Sequence, residues 1–268
     1  MENVTKALLI AAGLLISIMI LSLLVMFWGQ VSGYYEEKHK SKIIEQDTEF
    51  NAKFDNYTDE VIRGNELMSV MNKVVDYNTA IADMEGYDKI IMTVDFKGYQ
   101  NNEFQYSSSD SNPNSTESIF KNIIGSNGKL SNTQSSDSNL EAITNLAGNI
   151  SAETGYSDMQ LQKLSSEIQN IAIDSQLNSN KISDNQKMAL KETRNKKLQN
   201  ILGKSKADSL SNEQMSKLIK ATEKYYQYTQ LKRAMFRCTG VQHNTTENGR
   251  VNGITFEVVV ENNRVKFN

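Results

Sequence analysis

From Ala7 to Tyr35 the chain carries no charged side chain, and its core reads ALLIAAGLLISIMILSLLVMFW. These 22 residues from Ala7 to Trp28 make about 33 Å of helix at 1.5 Å per residue, against a hydrocarbon layer about 30 Å thick. Trp28, Tyr34 and Tyr35 follow where an interfacial aromatic belt belongs. A cleaved secretory signal has a shorter apolar core, of about 7 to 15 residues, a basic start and a small-residue exit. Here only Lys6 precedes the run and the exit, FWGQVSGYY, is bulky. The run therefore predicts a retained single-pass anchor, with Ala7, Ile10, Leu14, Ile18, Leu21, Val25 and Trp28 facing lipid.

Orientation is read from two opposed signals. Lys38, Lys40 and Lys42 after the helix, against Lys6 before it, lean toward a cytoplasmic domain. A domain rich in Asn, Ser and Thr with one cysteine resembles a secreted surface, and the expectation is a cell-membrane protein with its domain outside the cytoplasm.

Beyond the anchor, Phe50, Phe54, Tyr57 and Val61 recur at i, i+4, i+7 and i+11, one face of a helix. The segment EFNAKFDNY is thus either a continuation of the anchor or a second helix after a break near Gly33. RGNELMSVMNKVVDYN predicts a further helix with Gly64, Met68, Met71 and Val75 on one face. Gly86 punctuates, and DKIIMTVDF alternates as a half-buried strand with Ile90, Met92, Val94 and Phe96 on one side. Residues 99–157, including SSSDSNPNSTES and SNTQSSDSN, are too polar to offset chain entropy and read as a low-complexity linker, with a helical turn at Ile119, Phe120, Ile123 and Ile124.

Helical periodicity returns after Ser157. Leu161, Leu164, Ile168, Ile171 and Leu177 predict one helix; Met188, Leu190, Leu198, Ile201 and Leu202 a second; and a third opens at the N-cap Ser211 with Met215, Leu218, Ile219 and Tyr225 as its stripe. Lys187, Lys191, Arg194, Lys196, Lys197, Lys204 and Lys206 make this region basic, either as a solvated face or as a contact for anionic headgroups or an acidic partner. The last segment predicts a three-strand antiparallel meander (MFRCTGVQHN, RVNGITFEVVVE, NRVKFN), with Ile254, Phe256 and Val258 inward and turns at Asn248-Gly249 and Asn262-Asn263. Joined by the strand at 88–96, it makes a four-stranded sheet covered by the EFNAKFDNY helix.

The expected fold class is α+β: an N-terminal transmembrane helix whose amphipathic extension packs on a small antiparallel sheet, with a largely helical insertion. The expected segments are 1–35 (anchor), 36–98 (amphipathic helices and first strand), 99–157 (linker), 158–231 (helical insertion) and 232–268 (strands).

The residues offer little chemistry. There is no phosphate-binding glycine loop, no nucleophile elbow and no histidine pair at metal-binding spacing. Cys238 is the single cysteine and reads as a small buried apolar residue; His243 reads as an exposed loop histidine. The acid-base balance of 32 to 29 gives no basic excess for nucleic acid. No cofactor, metal or catalytic group is expected, and the partners are the bilayer and proteins, including self-association through the anchor.

The start ENVTKALLIAAGLLI and the pieces EFNAKFDNY, FRCTGV and GRVNGITFE resemble pilin-like single-pass proteins of Gram-positive bacteria, with type IV pilin architecture. The resemblance covers residues 2–96 and 232–268. It implies a hydrophobic helix running into an amphipathic one, a C-terminal sheet packed on it, and a non-enzymatic subunit or accessory component of a surface or secretion assembly. The peptidase-site glycine of pilins does not precede this helix, and Glu2 is the acid nearest it. The alternative expectation is a membrane-tethered interaction or sensor module that binds a protein partner through the helical insertion.

Overall fold

The computed structural model describes residues 2–82, 87–96, 128–245, 249–261 and 264–267. The turn expected at Gly86, the whole segment 99–127 with its expected helical turn, Asn248 and the Asn262-Asn263 pair lie outside them.

Helix α1 (Glu2–Asp55) is continuous for 54 residues, so the apolar run and most of the EFNAKFDNY segment are one helix with no break at Gly33. Its polar groups are satisfied from within: the hydroxyls of Ser17 and Ser22 donate to the carbonyls of Gly13 and Ile18, each at 2.9 Å. This suits a lipid environment, where unpaired polar groups are costly. The helix closes in a turn through Tyr57 and Thr58, and Asp59 takes φ 60°, a left-handed conformation that Asp tolerates better than most residues. That turn resets the periodicity from 3.6 to 2. Val61, expected on the helical stripe, instead opens β1 (Val61–Arg63) and is 41% exposed, while Ile62 fills the core place at 3%.

Strand β1 leads directly into α2 (Gly64–Ala80), which buries Leu67, Met68, Val70, Met71 and Val74. Gly64 is required by close approach: a Cβ there would stand 1.8 Å from the Leu231 carbonyl oxygen. Strands β2 (Ile91–Asp95) and β3 (Lys129–Ser131) follow, then a run of helices: α3 (Ser138–Thr144), α4 (Leu146–Thr154), α5 (Asp158–Ser166), α6 (Ile168–Ile171), α7 (Asp174–Leu177), α8 (Asp184–Leu202), α9 (Lys204–Asp208) and α10 (Asn212–Arg233). The chain then returns through β4 (Met235–His243), β5 (Val251–Val258), β6 (Val260–Glu261) and β7 (Arg264–Val265).

Three expectations are corrected here. Residues 129–154, expected as linker, form β3, α3 and α4, because Leu130, Leu140, Ile143 and Ile150 are buried despite their polar neighbours. The stripe from Leu161 to Leu177 is three short helices rather than one. The sheet is mixed, not antiparallel. Its order is β1-β4-β5-β2-β3, and β2 runs parallel to β5, pairing Met92 with Ile254 and Val94 with Phe256. The third run of the expected meander leaves this sheet, and β6 and β7 pair separately.

Three of the helices start alike. Ser157, Ser183 and Ser211 each accept from the backbone N–H of a glutamine three residues on, and that glutamine's side chain returns to the serine N–H. This capping box satisfies two otherwise orphaned N–H groups per helix.

One face of the sheet is apolar: Ile90, Met92, Val94, Phe96, Phe236, Cys238, Ile254, Phe256 and Val258 are buried. The last turns of α1 lie against β5, and α2 lies against β1, β2 and β4. The cover expected from EFNAKFDNY alone is therefore shared with α2. Helix α10 packs on α2, α4, α5 and α6, so the same core runs from the sheet into the helical lobe, through Leu161, Leu164, Leu198, Leu218 and Tyr225.

Candidate functional site: a bare helix latched to a head

Helix α1 divides into two parts of opposite character. From Glu2 to Gln46 every residue is exposed. Ile10, Leu14, Ile18, Leu21, Val25 and Trp28 are between 59% and 78% exposed, and Ala7 is exposed beside them. Seventeen large apolar side chains from Val4 to Trp28 have no protein cover. At about 1.5–3 kcal/mol for each such side chain moved out of water, the total reaches tens of kcal/mol. Among the described residues this is the one helix long and apolar enough to cross a membrane. Between Trp28 and the first buried residue, Asp47, lie 18 further helical residues, about 27 Å of stalk. Gly29 and Gly33 lie bare in it, although glycine costs a helix about 1 kcal/mol relative to alanine.

The last three turns are held by the head through two adjacent rows. The apolar row is Phe50 and Phe54, their rings 5.5 Å apart, with Tyr57 in the turn edge-on to Phe256 at 6.3 Å. The polar row, one residue over, is Asp47, Asn51 and Asp55, spaced i, i+4 and i+8 along one side of the helix.

Each polar residue meets the β4–β5 hairpin. Asp47, 6% exposed, pairs with Arg250, whose guanidinium lies over the rings of Phe50 at 5.1 Å and Tyr87 at 4.7 Å. Burial works against the charge on Arg250, but the Asp47 carboxylate and the Tyr77 hydroxyl outweigh it and its pKa is raised. Burial likewise pushes the Tyr77 phenol up. The Asn51 amide donates to the Gly249 carbonyl and accepts from the Val251 N–H, both at 2.9 Å, in the manner of a neighbouring strand. Asp55 Oδ1 stands 3.1 Å from His243 Nε2. His243 thus sits at the end of β4 against a carboxylate, not in an open loop.

The aromatic spacing predicts the apolar row, but the polar row was not expected from the sequence. Its signal was present as D-x3-N-x3-D, in step with the aromatic spacing.

A second polar cluster is structural. The Asn78 and Asn132 amides both donate to Asp137 Oδ1, at 2.7 and 2.6 Å, and both donate to the Ile90 carbonyl at 3.0 Å. Lys89 Nζ stands 3.5 Å from the other Asp137 oxygen. The group ties α2, β2 and the start of α3 together, with its buried polar atoms matched, as a buried network must be to avoid a net cost.

Cys238 is fully buried and its thiol is pushed up by that burial. Among the described residues no group of three His, Cys, Asp or Glu side chains could hold a metal ion. Three lysines of the basic run on α8 have acidic partners: Lys197 pairs with Glu167 at 3.1 Å, Lys196 with Glu192 at 2.7 Å and Lys187 with Asp184 at 4.0 Å. The carboxyl of Glu167 is held below its usual range by hydrogen bonds from Lys197 and Asn170.

Fold and site together define a class by architecture: an α+β head, mostly helical with a small mixed sheet, carried on a long apolar helix. Comparison with protein-family models, curated proteins and solved structures finds no match to this chain.

Proposed function

We propose that this chain is a membrane-anchored, non-enzymatic subunit or accessory component of a bacterial surface or secretion assembly, with the layout of a type IV pilin and its head outside the cytoplasm. The observation that carries the reading is the uncovered length of α1. Lipid accounts for Ala7 to Trp28, but not for the 18 helical residues that follow before the head takes hold. Most helical stability in proteins comes from tertiary packing, which this exposed stretch lacks, and two bare glycines weaken it further. Lateral packing against the same stretch of neighbouring copies gives it cover, and the small residues Ala11, Ala12, Gly13 and Ser17 allow close approach inside the bilayer. The latch of Asp47, Asn51 and Asp55 fixes the head on this rod, as a repeating subunit requires.

Single cysteines placed in turn from Gly29 to Gln46, in a Cys238→Ala background, test the assembly by oxidative cross-linking in intact cells. Covalent multimers recurring with a helical period of about 3.6 residues are expected. Monomer at every position sinks the proposal. A cysteine at Thr245 in the same background reports orientation: it is labelled from outside the cell, whereas protection until lysis places the head in the cytoplasm. The tethered module that binds a protein partner through the helical insertion stands second, because three of the lysines on α8 already have acidic partners.

A further inference from the structure

Part of the positive charge of the helical lobe lies on α9 and α10, away from α8. A cavity of about 400 Å³ opens between the end of α4, α9 and the first half of α10. Lys217, Lys220 and Lys224 line it from one side of α10, and Lys206 reaches it from α9. Along α10 the three lysines span about 10 Å. Lys206 Nζ stands over the Tyr156 ring at 4.4 Å, and Tyr156, itself buried, forms part of the wall together with Leu218 and Ala221. Two acids are near: Glu153 on the wall, and Glu213, which pairs with Lys217 at 3.0 Å. Lys220 and Lys224 have no ion pair among the described residues.

We infer that this cavity binds a compact phosphate-bearing anion. Four lysines from two elements line one concavity in a chain whose net charge is −3, and only Lys217 among them has an acidic partner among the described residues. Like charges held together repel, and an anion placed among them removes that cost while gaining charge-assisted hydrogen bonds. Lysines suit phosphate as point charges without bidentate geometry. The volume falls in the range of small-ligand sites, about 300–1,000 Å³, and the wall offers apolar and aromatic surface beside the charges. The ligand's phosphate is either that of a soluble metabolite or that of an anionic lipid headgroup. This inference does not depend on the assembly reading.

The test uses the full chain in phosphatidylcholine nanodiscs, with lysine acetylation read residue by residue by mass spectrometry. Inorganic pyrophosphate is the soluble probe; nanodiscs containing phosphatidylglycerol, without pyrophosphate, are the headgroup probe. Near a ligand concentration ten times Kd, labelling of Lys206, Lys220 and Lys224 falls about tenfold, while Lys191 and Lys196 on α8 label as before. In the Lys220→Gln/Lys224→Gln variant, whose fold is checked by an unreactive Cys238, the protection of Lys206 is lost. Protection by pyrophosphate alone identifies a soluble ligand, and protection by phosphatidylglycerol alone identifies a headgroup. Unchanged labelling under both probes overturns the inference. So does equal protection of Lys191 and Lys196, or protection of Lys206 that survives the double substitution.

Discussion

Helices α1 and α10 are both long and continuous, yet they answer to different solvents. Helix α10 shows apolar residues on one stripe, from Met215 through Leu218 and Tyr225 to Leu231, and each is buried in the head. The first half of α1 is apolar on every side and buries none of it. A helix with one apolar face is complete once it meets a core, whereas one that is apolar all round needs lipid or other helices. The same chain therefore holds one region whose stability comes from its own packing and one whose stability comes from its surroundings. Substitutions should act on one region and leave the other unmoved.

The largest effect is expected in the anchor. Leu14→Arg with Leu21→Arg adds about 5–7 kcal/mol to insertion, at about 2.5–3.5 kcal/mol for each charge at mid-bilayer. The protein should move from the carbonate-resistant pellet to the soluble fraction or be degraded. Its head, assayed by the denaturant midpoint of any recovered protein, should be unchanged, and a lowered midpoint would break the comparison. Phe256→Ala is the converse: about 3–5 kcal/mol lost from the head, exposing Cys238 to thiol reagents while membrane extraction is unaltered. Arg250→Ala tests the join. It leaves the Asp47 carboxylate buried without its partner, at a cost of about 3–5 kcal/mol for a fully buried pair and toward the lower end here, with protease sensitivity appearing around residues 47–55. Gly64→Ala puts a methyl against the Leu231 carbonyl, and α2 must move from α10, at about 1–3 kcal/mol. Ser211→Ala is the smallest, about 1 kcal/mol from the lost cap, visible as a modest fall in Tm with the anchor unaffected.

The long apolar helix α1 was legible because an uncharged apolar run of that length is too long for a strand. The buried faces of β2 and β5 were legible because alternation survives burial on one side. Helix α10 was legible from Ser211 and its stripe, and Ser157 and Ser183 carry the same S-x-x-Q start in the sequence. What escaped was non-local. Alternation in DKIIMTVDF is the same for parallel and antiparallel neighbours, so the pairing of Met92 with Ile254 could not be read from it. Val61 kept the helical spacing of Phe50 and Phe54 by coincidence, since Asp59 had already turned the chain. The polar row Asp47, Asn51 and Asp55 looked like ordinary helix surface because its partners lie about 200 residues away. The segment around Asp137 looked featureless because its order comes from a buried carboxylate shared by two asparagines.

The parallel pairing of β2 with β5 has a consequence for biosynthesis. Strand β5 begins at Val251, well over a hundred residues after β2 ends at Asp95. At a translation rate of about 5–20 residues per second, β2 waits roughly 8–30 s for the neighbour that completes the sheet. By then α1 has long left the ribosome and can be seated in its membrane. With α1 in a bilayer, as proposed, nascent heads would be confined to a plane while the β2 edge that β5 later fills is still open, and crowding along that plane, rather than dilution in bulk, would set the risk of mispairing between copies.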